Sequence, residues 1–110
     1  MSEDSTHPPP PSSVRPVDFE EARVVPGVAP DSFILIVSGT KPYLNMKVEL
    51  SPLVYVRQPE HWGIEVTGSL PGVGLPATAP YTVSLSLDGV LGTEGIEVIG
   101  ARNRRTFDVP

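Results

Sequence analysis

Tyr81-Thr82-Val83-Ser84-Leu85-Ser86-Leu87 sets four apolar residues on one side of an extended chain and three small hydroxyls on the other. Successive side chains of a β-strand point to opposite faces, so the segment predicts a strand with one buried and one wet face. A helix would scatter the same residues around its circumference. Pro80 bounds the stretch on one side. Asp88-Gly89, a turn dipeptide, bounds it on the other.

The same period of two runs outward in both directions. Trp62, Ile64 and Val66 alternate with Gly63, Glu65 and Thr67, after a turn at Gln58-Pro59-Glu60-His61. Residues 68–80 hold three prolines and three glycines and read as a loop. Met46, Val48 and Leu50 face inward, with Lys47 and Glu49 outward. Phe33-Ile34-Leu35-Ile36-Val37 is apolar throughout and too short for a helix, so it predicts a central strand buried on both faces. Beyond Asp88-Gly89, a longer loop through Gly92 to Gly95 leads into strands at Ile96 to Ile99 and Arg105 to Val109.

Pro52 cannot donate to a ladder, which marks a bulge, a bend or an edge. Leu53-Val54-Tyr55-Val56-Arg57 is then expected to resume as a strand. Its apolar residues carry no lysine or proline to blunt pairing, so it is the expected edge for self-association or for a partner chain.

Six or seven short strands with Gly/Pro turns and no helical pattern predict an all-β domain. The expected form is a small antiparallel β-sandwich, with a small β-barrel as the alternative. Leu75-Pro76-x-Thr78-x-x-Tyr81-Thr82-Val83-Ser84-Leu85 is loosely similar to the approach into the sixth strand of fibronectin type III domains. The proline and threonine are offset by one residue, and no tryptophan stands on an early strand. The resemblance covers about eleven residues and implies an immunoglobulin/fibronectin-like sandwich and no activity.

The N-terminal third has a different character. Residues 1–32 hold 7 of the 14 prolines, and six acids against Arg15 and Arg23. Residues 1–31 therefore predict a disordered, acidic, proline-rich tail, with residues 1 to about 16 mobile and residues 32–110 forming one β domain. Phe19, Val24 and Val25 are the anchors by which Val17 to Arg23 could dock as a short strand or form one helical turn. Pro8 to Pro11 reads as polyproline II, a linker or a ligand for a proline-reading domain.

The chain carries a net charge of −5, which disfavours nucleic acid and anionic membranes as partners. It has no cysteine, which excludes disulfides, thiolate catalysis and Cys-ligated metals, and suits a reducing, cytoplasmic setting. No signal-peptide pattern and no apolar stretch of membrane-spanning length occurs.

Chemistry-bearing motifs are sparse. Adjacent residues in an extended chain face apart, so Glu60 and His61 are not expected to share one substrate or ion, and His61 reads as a solvated turn residue. Ser84 and Ser86 lack a nucleophile elbow, and Gly72-Val73-Gly74 and Gly92-Thr93-Glu94-Gly95 precede no helix. Tyr43, Tyr55 and Trp62 could stack on a carbohydrate or other small ligand, although the phase of Trp62 favours the core. Arg102, Arg104 and Arg105 form the one basic cluster, which could meet an acidic peptide or the acidic tail. The expectation is thus a non-catalytic interaction module without a cofactor, with protein partners or itself. A small-ligand binder or an enzyme with an unrecognised site are the alternatives.

Overall fold

The computed structural model describes residues 13–110. It has eight strands: β1 (Ser13–Pro16), β2 (Glu21–Pro26), β3 (Phe33–Lys41), β4 (Lys47–Pro52), β5 (His61–Leu70), β6 (Ala79–Ser86), β7 (Gly95–Ile99) and β8 (Arg104–Asp108). They form two sheets, one of five strands and one of three, with no closed barrel. The expected sandwich is therefore the architecture.

β5 is the spine of the larger sheet. β4 pairs antiparallel along one of its edges, over residues 64–69. β7 lies parallel to residues 61–65 and β1 antiparallel to residues 67–70, so these two share the opposite edge end to end. β8 pairs β7 antiparallel and closes that side. The smaller sheet is antiparallel in the order β2-β3-β6. The parallel β5/β7 pairing departs from the all-antiparallel expectation. The chain leaves β5, builds β6 in the other sheet, and returns to lie alongside β5 in the same direction, a crossover that no local pattern encodes.

The core lies between the sheets. Leu35, Val37, Tyr81 and Leu87 meet Val48, Ile64, Val66, Ile96 and Val98. Val83 and Leu85 point inward as expected but remain half-buried, because β6 is an edge strand. The strand at Phe33 is central but covered on one face only. Leu35 and Val37 are fully buried, while Ile34 and Ile36 are half-exposed on the outer face. β5 runs on to Leu70 through Gly68, inside the expected loop. A Cβ on Gly68 would stand 2.7 Å from Val17 and against Met46, so glycine lets both side chains close over the strand.

The expected tail is corrected most. Residues 1–12, with the polyproline run, lie outside the described residues. Residues 13–26, expected within the disordered tail with docking of Val17 to Arg23 as a short strand left open, form β1 in the larger sheet and β2 in the smaller. Between them the chain crosses the sandwich with Val17 and Phe19 buried at 4% exposure each, and Ala22 follows into the core. Three apolar side chains and two ladders offset the ordering entropy that composition alone left uncompensated. Asp18 ties the crossing to the β7–β8 turn. Its Oδ2 accepts from Arg102 Nε at 2.8 Å and Nη2 at 2.6 Å, and its Oδ1 from the Arg102 backbone N–H at 2.7 Å. These Arg102 bonds hold the Asp18 carboxyl below the usual carboxylate range. Asn103 Nδ2 donates to the Phe19 carbonyl at 2.7 Å, and the buried Tyr81 hydroxyl to that of Asp18 at 2.7 Å.

Candidate functional site

A two-sheet sandwich leaves strand edges, and an edge is a row of unpaired amides and carbonyls. In an antiparallel pair, alternate residues turn both groups toward the partner, and the residues between turn them away. The register therefore says which way each strand proline aims its missing N–H.

Val17 donates to Val66, so in β1 the odd residues face β5 and Pro16 faces away. Gly27 donates to Ser32, which turns Pro26 of β2 outward. Leu53 donates to Gly63, which turns Pro52 of β4 outward, and Leu87 donates to Phe33, which does the same for Pro80 of β6. Four edge strands thus each carry a proline at an outward position. A fifth, β8, carries none. Val109 donates to Glu94 and Gly100 to the Asn103 carbonyl, so Arg104, Thr106 and Asp108 aim their backbone groups away from β7. Among the described residues, no backbone partner meets them there.

The side chains on β8 are charged at both ends. Arg104 Nη1 lies 3.5 Å from Glu97 Oε2 on the outer face. Asp108 Oδ1 lies 2.8 Å from His61 Nε2, with Asp108 largely exposed. The bond from Asp108 is the main cause that raises the His61 pKa, and the nearby carboxylates of Asp108, Glu94 and Glu60 add to it. Arg105 and Phe107 share the inner face, and Phe107 is half-buried against the core.

The expected edge at Leu53 to Val56 is not a strand. β4 ends at Pro52 and its last rung runs from Leu53 N–H to Gly63. The return rung is dismantled by side chains. Trp62 Nε1–H donates to the Leu53 carbonyl at 2.9 Å, and the Gly63 N–H donates to the Tyr55 hydroxyl at 3.1 Å. Leu53 and Tyr55 fold over Gly63, while Val54 and Val56 stand in solvent at 97% and 104% exposure.

The aromatic residues are engaged in packing. Tyr55 meets Trp62 edge-on, with ring centroids 5.2 Å apart. Trp62 and Tyr43 are half-buried against the core, and the Arg15 guanidinium lies 5.7 Å from the centre of the Tyr43 ring. The three arginines of the basic cluster part company: Arg102 serves Asp18, Arg104 faces Glu97, and Arg105 lies on the inner face of β8. A groove of about 380 Å³ opens beside Arg15, Asp18, Lys41 and Arg102. Its cations are occupied, since Lys41 Nζ donates to the Met46 carbonyl at 2.8 Å.

Glu60 and His61 do share one space, contrary to the extended-chain argument. Glu60 lies in a bend before β5 begins, and its carbonyl accepts from Glu94 at 2.8 Å and Gly95 at 3.1 Å. One ligand atom each from Glu60, His61 and Glu94 falls within 4.8 Å of the others, a spacing that could hold a divalent cation. Sequence reasoning missed Glu94, Thr106 and Asp108. Only the absence of proline between Gly100 and Val109 hinted at an open edge.

Comparison with known protein families, with curated proteins and with solved structures finds no match. No helix among the described residues is long and apolar enough to cross a membrane.

Proposed function

We propose that this protein is a non-catalytic interaction module that adds a strand from another chain to β8. One observation carries the reading: among the described residues β8 is the one edge strand with no proline within its bounds, and it turns the amides of Arg104, Thr106 and Asp108 outward. Strand addition takes its affinity from main-chain bonds and its specificity from flanking side chains. Here those are Arg104 and Arg105 toward one end and Asp108 at the other. The acidic balance of the chain supports a protein partner over nucleic acid or an anionic membrane, and the lack of cysteine supports a cytoplasmic setting.

The test is an amide chemical-shift titration with a short synthetic peptide of alternating valine, threonine and aspartate. Shifts should cluster on β8 and β7 and vanish in Thr106→Pro. Shifts spread over the loops, or none at millimolar peptide, would overturn the reading.

A further inference from the structure

β8 reads Arg104-Arg105-Thr106-Phe107-Asp108. Laid antiparallel against itself about Thr106, it places Arg104 opposite Asp108 twice, Arg105 opposite Phe107 twice, and Thr106 opposite Thr106. The charges are complementary at every position where they meet. We infer that the strand joining β8 is the β8 of a second copy of this chain, related by a two-fold axis at Thr106. This inference rests on the reading of β8 as the interaction edge.

The backbone parity agrees with that register. About Thr106 the axis passes through a hydrogen-bonded pair, in which Thr106 exchanges its N–H and its C=O with its own image and so must aim both outward. It does, as do Arg104 and Asp108, which then form hydrogen-bonded pairs with the partner's Asp108 and the partner's Arg104. A centre at Arg105 would set Arg105 against its own image, and a centre at Phe107 would leave Arg104 opposite Pro110 and Asp108 opposite Thr106, so the charges pair only about Thr106. The next outward position, Pro110, has no N–H, which limits the ladder to these three residues.

The side chains divide by face. On the outer face, Asp108 Oδ1 is taken by His61, and Oδ2 is left for the partner's Arg104. Arg104 already leans on Glu97, so each end becomes a chain of alternating charges from Glu97 through Arg104 to Asp108 and His61 across the axis. On the inner face, Arg105 stands opposite the partner's Phe107 at a non-hydrogen-bonded position, where cross-strand side chains are closest. A guanidinium over a phenyl ring is attractive. The isologous contact would join two five-stranded sheets into one continuous sheet.

Three variants test this by sedimentation equilibrium of the full chain from about 10 µM to about 1 mM, a range suited to a small interface. Wild type is expected to dimerise, more weakly as salt rises. Thr106→Pro removes only an outward N–H, the device the four other edges already carry, and should weaken association by about 100-fold or more. Arg104→Asp alone sets aspartate against aspartate, and Asp108→Arg alone sets arginine against arginine, so each should be monomeric. Mixed one to one, they present Asp against Arg at both ends and should form a heterodimer. Wild type that stays monomeric at 1 mM, a dimer unaffected by Thr106→Pro, or a mixture no tighter than its components would each overturn self-pairing. A monomer that still shows β8 shifts with the acidic peptide would overturn self-pairing alone and leave the interaction edge standing.

Discussion

Single residues carry more of this structure than their types suggest. His61 read as a solvated turn residue, yet it donates or accepts at 2.8 Å with Asp108, 47 positions away. That pairing lifts its pKa above the ordinary value of about 6.5. A raised folded-state pKa means that protonation favours the folded chain. The contribution is fully present below about pH 6.5 and is lost as pH rises through the folded pKa of His61. An imidazole titration followed by NMR should therefore give a His61 midpoint above about 6.5, and Asp108→Asn should bring it down toward that ordinary value. Equal midpoints in the two proteins would show that the bond is absent in solution. Nothing local pointed to Asp108, because the pair depends on β8 lying beside β7 and β7 beside β5. The Trp62 indole and Tyr55 hydroxyl were equally illegible: as donor and acceptor they replace a ladder rung, and a hydrophobic pattern is blind to that.

At the scale of elements, alternation located the strands wherever one face is buried. Tyr81 to Leu87, Lys47 to Leu50 and Trp62 to Val66 all point as their pattern predicts. It failed where strand position in the sheet decides burial. Val83 and Leu85 carry the clearest pattern in the chain but sit on the edge strand β6, while Leu35 and Val37 on the central β3 are sealed. Truncation should follow the sheet and not the pattern. Leu35→Ala should cost about 2–5 kcal/mol in denaturant unfolding, and Leu85→Ala visibly less, because a half-exposed site leaves little cavity. Equal losses would place β6 deeper than it lies here. The prolines were legible as strand breakers, but their outward aim needed the register. Leu53 to Val56 misled because an apolar run with strand propensity also suits a segment that covers one glycine and bares two valines.

For the whole molecule, composition misjudged the N-terminal segment. Acid and proline set its average; Phe19 was legible as an anchor, but Val17 and Ala22 were not, because the buried positions 17, 19 and 22 follow no single strand face. Phe19→Ala should lower unfolding free energy by about 3–5 kcal/mol, a large part of the 5–15 kcal/mol typical of a domain. A change below about 1 kcal/mol in urea unfolding would mean that the crossing is dispensable. The crossing has a further consequence during synthesis. Its partners are β5 and the β7–β8 turn, and Asp18 meets Arg102 across 84 residues. At 5–20 residues per second, the ribosome takes roughly 4–17 s to make the chain between them. For that interval the crossing lacks the ties of Asp18 to Arg102 and of Phe19 to Asn103, so it is among the last segments to settle, and nascent chains should present Phe19 to chaperones until the β7–β8 turn has emerged.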